Sequence, residues 1–416
     1  MFRRQWWVLL GILLLLGLIL HSSLFFLFVI LLGIASGTSA LWSRYCLNAV
    51  TYRRSFSDNR IFYGEETRLT IEVTNAKPLP LAWLLIRDSF PKNVSLLTGE
   101  LETEEGNELE EQPDTDPPRS PAHLTDILAL RWYERVRRTY RIRGDNRGLY
   151  QFGPASLSSG DLFGFGRKSA TYEAQDCLIV YPRLVPVEQL GMPAERPAGE
   201  RKAKRRIIED PLRMATVREY IPGDSIRYIH WKNTARLNQL QTKVFDPSAS
   251  HILVIFLDLQ TAANPYGLIP EYLELAITSA GSLALHSLEE RYAVGLYANG
   301  GPRNSSYWTI VRPGRSPGQG TQILDALAPL FGFRLLPMHQ LLRRSMPTLP
   351  FGSTAMVISA CMTEDLLVSM LAVQDAGHPV VLLTVGDTKP DVPDTFVSYH
   401  LGGRDAWHHL QTLELD

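Results

Sequence analysis

Two apolar stretches near the N-terminus constrain the fold of this chain more than any other feature of its sequence. Trp6 to Leu20 contains no polar residue, Leu24 to Ala35 contains none either, and His21-Ser22-Ser23 separates them. A single helix from Trp6 to Leu41 would be about 54 Å long, far more than the hydrocarbon core of a bilayer, which is about 30 Å thick. The pattern therefore predicts a transmembrane helical hairpin over residues 1–44 that turns at the polar break.

A cleaved signal peptide is the alternative interpretation of the same region. Arg3 and Arg4 could form its charged start, and Thr38-Ser39-Ala40 loosely resembles a cleavage site with small residues. Signal peptides carry one apolar stretch of about 7–15 residues, whereas this region is about twice as long. The length therefore favours the hairpin.

Basic residues flank both apolar stretches and predict their orientation. Arg3 and Arg4 precede the first stretch, Arg44, Arg53 and Arg54 follow the second, and the polar break contains no Lys or Arg. Because positive flanks stay in the cytoplasm, we expect a multi-pass protein of the inner (cytoplasmic) membrane. Both of its ends and its body from about residue 45 onward would face the cytoplasm.

Cysteine content and net charge argue against several other classes of protein. The three cysteines, Cys46, Cys177 and Cys361, form no CxxC pair, so neither a zinc site nor a disulfide framework is indicated. Unpaired thiols agree with a reducing compartment. A formal net charge of -1 gives no electrostatic reason to expect a nucleic-acid partner.

Short alternating segments predict a β-sandwich over residues 51–186. Thr67 to Asn75 alternates polar and apolar residues, as a half-buried strand does. The acidic stretch 100–118 interrupts this domain, contains almost no residue that could be buried, and is predicted to be a disordered loop. It lacks the fixed frame of acidic ligands around a glycine that a calcium loop needs.

The pattern changes again towards the C-terminus. Residues 187–250 are predicted to be a linker followed by a distinctive basic and aromatic segment. His251 to Leu257 is a continuous apolar run, typical of a strand that is buried on both faces, and Tyr272 to Arg291 has helical spacing. Further strands alternate with helices, so residues 251–416 are predicted to form a doubly wound α/β domain with a parallel sheet.

The segment from Val217 to Arg236 concentrates charged and aromatic side chains around a Pro222-Gly223-Asp224 turn. Arginine side chains can grip carboxylates and stack on aromatic rings. Two interpretations remain open: a docking surface or ligand site made from exposed Arg, Lys and Trp, or a latch of ion pairs and stacked rings between the two domains. The candidate residues are Arg218, Glu219, Tyr220, Gly223, Asp224, Arg227, His230, Trp231, Lys232 and Arg236.

This segment resembles the signature of the domain-of-unknown-function 58 family, which reads roughly R-E-Y-x-P-G-D-x-x-R-x-I-x-W-x-x-x-A-R. The match is unbroken from Arg218 to Arg236. Residues 147–154 and 161–165 also resemble the family, except that Leu162 stands where the family usually has proline. The resemblance covers essentially the whole chain, including the N-terminal apolar hairpin, and implies a bacterial membrane protein.

The resemblance also implies that the C-terminal domain is similar to a von Willebrand factor A domain. Functional domains of that type place D-x-S-x-S on a divalent cation, whereas this chain has Asp258-Leu259-Gln260-Thr261-Ala262. Asp258, Gln260 and the more distant Thr321 are the candidate ligands of this degenerate site. Because Mg²⁺ demands near-ideal octahedral geometry and two hydroxyl ligands are missing, we expect no cofactor. Asp258 is instead expected to cap backbone amides at the top of the sheet.

No Walker sequence and no HExxH motif is present in the chain. We therefore expect a membrane-bound scaffold or adaptor and not an enzyme. The resemblance implies a MoxR-type AAA ATPase as partner, and a membrane transglutaminase-like protein as a further one. Two alternatives stay open: a metal-dependent adhesion module built on Asp258, and an enzyme of unrecognised class that uses Asp224, His230 and Lys232.

Overall fold

The computed structural model divides into two compact units, one of residues 1–183 with 327–329 and one of residues 184–326 with 330–416. The first of the two predicted membrane helices, apart from residues 11–12, and its turn at residues 21–22 lie outside the described residues. The described residues are 11–12, 23–91, 93–98, 101–103, 122–161, 166–188, 214–220, 229–237, 239–245, 251–264, 267–303, 305–410 and 413–414.

Helix α1 (Ser23–Tyr45) opens the described part of the first unit. Within it, Phe26–Tyr45 is long and apolar enough to cross a membrane, and it is the one helix among the described residues that meets this test. Leu27, Ile30 and Ile34 are exposed on it. Exposed leucine and isoleucine at this density are typical of a helix that contacts lipid.

The rest of the first unit is rich in sheet. A four-stranded sheet has the order β1-β3-β8-β5, a five-stranded sheet the order β11-β10-β4-β7-β6, and a three-stranded sheet the order β2-β12-β9. The strands are β1 (Val50–Phe56), β2 (Arg60–Phe62), β3 (Glu66–Asn75), β4 (Leu81–Phe90), β5 (Val94–Leu96), β6 (Leu101–Thr103), β7 (Ala122–Leu130), β8 (Arg135–Gly144), β9 (Gly148–Phe152), β10 (Ala155–Gly160), β11 (Arg167–Tyr172) and β12 (Asp176–Tyr181).

The alternation of buried and exposed residues along these strands explains why they share one hydrophobic core. On β3 the inward residues Leu69, Ile71 and Val73 are buried while their neighbours are more exposed, as the period of two predicts. The same cluster takes in Ile86 from β4 and Phe152 from β9, so all three sheets contribute to it. The N-terminal sheet-rich region was therefore predictable from the sequence pattern.

One part of the acidic loop prediction is wrong. Leu101–Thr103 forms strand β6, which pairs antiparallel with β7 with Leu101 opposite Leu124. The predicted disordered loop 100–118 therefore begins in a strand, because the edge of β7 offers these residues hydrogen-bond partners that composition does not reveal. Residues 104–121 lie outside the described residues.

The second unit contains an α/β sheet of six strands in the order β18-β17-β16-β19-β20-β21. All neighbours in it are parallel except β17 and β18, which are antiparallel. Its elements are β16 (Ile252–Leu257), α3 (Pro270–Glu289), β17 (Ala293–Ala298), β18 (Thr309–Gly314), α4 (Gln319–Leu327), α5 (Met338–Ser345), β19 (Thr354–Ser359), α6 (Glu364–Asp375), β20 (Val380–Thr384), β21 (Val397–His400) and α7 (Arg404–His409).

Two smaller pairs complete this unit. Strand β14 (Met214–Glu219) pairs antiparallel with β15 (Gln241–Phe245), and the short helix α2 (Trp231–Leu237) lies between them in sequence. Strand β13 (Val187–Glu188) pairs parallel with β22 (Leu413–Glu414). Part of the predicted linker 187–250 is therefore regular structure. The parallel α/β sheet predicted from the apolar run at residues 251–257 is confirmed.

Candidate functional site

Three polar residues follow or end neighbouring parallel strands of the six-stranded sheet. Asp258 comes directly after β16, Asn299 directly after β17, and Ser359 is the last residue of β19. The carboxyl ends of parallel strands meet at one edge of a sheet, which is where open α/β sheets bind ligands. This edge is therefore the first candidate site.

Three hydrogen bonds hold the Asp258 carboxylate inside the chain. Its Oδ1 accepts from the backbone N–H of Gln260 at 3.0 Å and from Asn299 Nδ2 at 2.7 Å, and its Oδ2 accepts from Ser359 Oγ at 2.9 Å. The expected capping of a backbone amide by Asp258 is present at Gln260. The other two donors are side chains that lie 41 and 101 residues away in sequence.

Burial controls the titration of this cluster. Asp258 is buried, and loss of solvent raises its pKa, while the three donors and the nearby Arg334 act in the opposite direction. Cys361 lies beside it. Burial, helped by the negative charge of Asp258, raises the pKa of the Cys361 thiol to about 11. A thiol with so high a pKa is a poor nucleophile at neutral pH.

The other two candidate ligands of the degenerate cation site are placed differently. Gln260 is close to Asp258, but its Oε1 accepts from Arg334 and its Nε2 donates to the carbonyl of Ala262. Thr321 is exposed on α4, and no hydrogen bond among the described residues joins it to the Asp258 cluster. Within the described part of the chain, no group of three or more His, Cys, Asp or Glu side chains could hold a metal ion.

The signature segment is the second candidate site. Gly223, Asp224 and Arg227 lie outside the described residues, and Arg218 is placed in β14. The backbone N–H of Tyr220 donates to Leu240 and that of His230 donates to Gln241, so both ends of the segment join β15 or the residue before it. The imidazole Nδ1 of His230 accepts from the backbone N–H of Asn233 at 3.0 Å, so this ring supports the first turn of α2.

Helix α2 presents most of its side chains to solvent. No residue of α2 is buried, and Trp231 is 65% exposed. Lys232 and Arg236 are exposed at i and i+4, and Leu237 and Leu240 are exposed nearby. We call Trp231, Lys232, Arg236, Leu237 and Leu240 the α2 surface.

Sequence reasoning missed Asn299, Ser359 and Arg334. A signal for the first two was available, because each stands at the end of a strand that the pattern predicted. A search for polar residues at all the predicted carboxyl ends of strands would have found them. Arg334 lies in a loop and carries no comparable signal.

An apolar helix, a sheet-rich unit and a C-terminal α/β unit with parallel strands define a multidomain protein with a candidate membrane anchor. Residues 216–315 match the family model described as "Protein of unknown function DUF58". The chain is similar to this DUF58 family over that region. It is also 24% identical over 221 residues to the uncharacterized protein YeaD of Bacillus subtilis (strain 168), covering 53% of this chain and 50% of YeaD. The chain thus spans about half the length of this curated relative.

Solved structures match only weakly. The pilus adhesin SpaC from Lactobacillus rhamnosus GG is 12% identical with a TM-score of 0.27, covering 38% of this chain and 29% of SpaC. A fragment of α2-macroglobulin from Escherichia coli is 18% identical with a TM-score of 0.21, covering 32% of this chain and 24% of the fragment. Scores at this level carry no argument about fold or function.

Proposed function

We propose that this protein is a membrane-anchored, cytoplasm-facing scaffold or adaptor that binds other proteins through the α2 surface. The observation that carries the proposal is the 65% exposure of Trp231 within the segment that bears the family signature. Exposed tryptophan beside arginine is the composition of protein interfaces, where these residues supply much of the binding energy. A tryptophan needed only for the core would be buried.

The partner is proposed from the family resemblance. A MoxR-type AAA ATPase is the first candidate, a membrane transglutaminase-like protein is the second, and the scaffold would couple the ATPase to assembly or maturation of a protein complex. The latch interpretation of the signature concerns other residues of the segment and is compatible with this role. The α2 surface would be the part left available to a partner.

The anchor is part of the proposal. Helix α1 supplies one candidate span, and the apolar residues before it would supply the second, giving the multi-pass hairpin with the body in the cytoplasm. Arg44 lies at the C-terminal end of α1, which supports the cytoplasmic assignment of that end.

The C-terminal unit would be a degenerate von Willebrand factor A-like domain without a cation. Its parallel sheet and the position of Asp258 at the end of β16 support the likeness. The three hydrogen bonds to Asp258 and the contact of Gln260 with Arg334 support a cluster satisfied by the chain itself. The metal-dependent adhesion module remains the alternative to be tested.

The test is a pull-down of the full-length protein, solubilised in detergent from its own cells, with and without EDTA. Trp231→Ala is the test variant. Phe351→Ala is the control, because Phe351 is an aromatic residue that is 68% exposed and lies outside the α2 surface. We expect the wild type and Phe351→Ala to recover an AAA ATPase, Trp231→Ala to lose it, and EDTA to have no effect.

Two results would contradict the proposal. Equal recovery of the ATPase by Trp231→Ala and the wild type would remove the α2 surface as the docking site. Loss of the partner both with EDTA and with Asp258→Ala would instead establish the metal-dependent module.

A further inference from the structure

The turn between β7 and β8 lies at the end of the sheets that adjoins the candidate membrane helix. Strand β1 begins five residues after α1 ends, and Val50 pairs with Asn75. The backbone N–H of Asn75 donates to the carbonyl of Glu134, and that of Ala76 donates to the carbonyl of Ala49. The residues that follow α1 are therefore joined to residues 131–134 through a short series of backbone contacts at residues 75–76.

Contacts in the five-stranded sheet independently place the turn of residues 131–134 near α1. Ser39 in α1 bonds Asp161, the residue directly after β10, and Ser159 of β10 pairs with Leu84 of β4. Leu81, at the start of β4, pairs with Leu130, the last residue before the turn. Both sheets thus bring the turn to the level of the C-terminal part of α1.

Two large aromatic side chains at this turn have no place in the core. Trp132 is 67% exposed and Tyr133 is 70% exposed. Tyr133 also has a φ of 52°, a left-handed conformation that costs about 1–2 kcal/mol for a residue with a Cβ atom. Glycine or asparagine would relieve that cost at an exposed turn, so the aromatic residue is not explained by folding alone.

Basic residues surround the aromatic pair. Arg131 precedes it directly, and Arg135 follows it after Glu134. Both arginines are exposed, and Nε of Arg135 lies 3.5 Å from the carboxylate of Glu72. Arg44 and Tyr45 end α1, with the guanidinium of Arg44 5.9 Å from the ring centre of Tyr45. Tryptophan and tyrosine are enriched at the boundary between lipid and water, and arginine near the cytoplasmic leaflet is attracted to anionic headgroups.

We infer that the turn of residues 131–134 is an interfacial anchor that places Trp132 and Tyr133 among the headgroups of the membrane that α1 enters. Arg131 and Arg135 bind headgroup phosphates beside them. This inference rests on the proposed membrane anchoring through α1. It makes the sheet-rich unit a domain held against the bilayer at two points, the helix and the turn.

Spin labels on the full-length protein test the inference separately from the anchoring. The protein carries Cys177→Ser and Cys361→Ser, keeps the buried Cys46, and is reconstituted into vesicles of phosphatidylcholine and phosphatidylglycerol. Labels are placed by Ile30→Cys, on the exposed surface of α1, and by Tyr133→Cys. Collision with a water-soluble nickel complex and with lipid-soluble oxygen reports the depth of each label.

The control label is Tyr63→Cys. It lies near the start of β3, at the end of the four-stranded sheet opposite to the turn of residues 131–134. Tyr63 precedes β3, and the nine steps from Glu66 to Asn75 span about 30 Å at roughly 3.3 Å per residue. We expect the label at 133 to lose most of its nickel collisions relative to the label at 63. Arg131→Gln together with Arg135→Gln should restore part of that nickel access.

The outcomes separate the two hypotheses. A label at 30 in lipid and a label at 133 as open to nickel as the label at 63 would overturn the interfacial anchor while leaving the membrane helix in place. A label at 30 that is open to nickel would overturn the anchoring through α1, and with it this inference.

Discussion

Ser39 of α1 donates a 2.6 Å hydrogen bond from its Oγ to Oδ2 of Asp161, and both side chains are buried. The other oxygen of Asp161 accepts from the backbone N–H of Gly166 at 2.7 Å. Lys168 adds a second link to α1, because its Nζ donates to the carbonyl of Arg44 at 3.0 Å. The C-terminal part of α1 is therefore fixed to the sheet-rich unit by polar contacts as well as by chain continuity.

Ser39→Ala should lower the free energy of unfolding by about 1–3 kcal/mol, because it removes the hydrogen bond from Ser39 to a buried carboxylate. Thermal or urea unfolding of the protein in detergent measures this. Thr38→Ala is the matched control, since Thr38 is exposed and its hydroxyl donates to the carbonyls of Ile34 and Ala35 in its own helix. Equal stability of the two variants would show that the Ser39–Asp161 bond does not hold the helix.

Arg54→Ala should be among the most destabilising substitutions in the sheet-rich unit. The side chain of Arg54 is 1% exposed, and it donates to Asp88 at 2.6 Å and to Asp176 at 2.9 Å. Removal of one partner of a buried ion pair costs about 3–5 kcal/mol, because the remaining charge stays buried. Denaturant unfolding measures the loss.

Asp176→Ala is the control for the same ion-pair cluster. Its side chain is 41% exposed, so water can replace part of the lost interaction. We expect a cost of about 1 kcal/mol or less, as for other solvent-exposed pairs. A cost as large as that of Arg54→Ala would mean that the cluster acts as one unit and not through the Asp88 pair.

Cys361 should react much more slowly with iodoacetamide than Cys177 does. With a pKa of about 11, roughly one Cys361 in a thousand is a thiolate at pH 8. Cys177 is exposed, whereas Cys361 is half-buried. Mass spectrometry of peptides from the protein after timed alkylation gives both rates, and the rate at Cys361 should rise as pH increases towards 11.

Asp258→Asn should lower the pKa of Cys361, because the carboxylate charge contributes to raising it. Alkylation of Cys361 at pH 8 would then become faster. Thermal unfolding of the variant checks that increased exposure is not the cause. An unchanged rate in a folded variant would show that Asp258 is uncharged in the native protein.

Asn299→Ala should destabilise the α/β unit by about 2–4 kcal/mol, because it removes two contacts at once. Its Nδ2 donates to Asp258 and its Oδ1 accepts from the backbone N–H of Leu259 at 2.9 Å. Thr321→Ala, on an exposed surface, should leave stability unchanged. Thermal unfolding with Mg²⁺ and with EDTA should give the same Tm for the wild type, whereas a rise with Mg²⁺ that Thr321→Ala abolishes would restore the cation site.

The pattern of polar and apolar residues within a segment predicted several helices and strands correctly. The apolar run at 251–257 became β16, the alternation at 67–75 became β3, and the helical spacing from Tyr272 became α3. Each of these patterns is contained within one element, so the sequence alone reveals it.

The contacts that define the candidate sites could not be predicted in this way. Asp258 was identified as a structural group, but Ser359, its donor, lies 101 residues away, and Ser39 and Asp161 are 122 residues apart. Such pairs depend on how strands are ordered in a sheet, and no local pattern encodes that order. Asp161 was noted only as part of a resemblance, and the structure gives it a role in holding α1.

The parallel pair β13–β22 has a consequence for the local stability of the α/β unit. Val187 lies opposite Leu413, and the backbone N–H of Leu413 donates to the carbonyl of Pro186 at 2.9 Å. The pair has two residues in each strand, whereas the strands of the six-stranded sheet have four to six. Fewer hydrogen bonds hold it, so local opening of residues 187–188 and 413–414 should cost less free energy than opening of the six-stranded sheet.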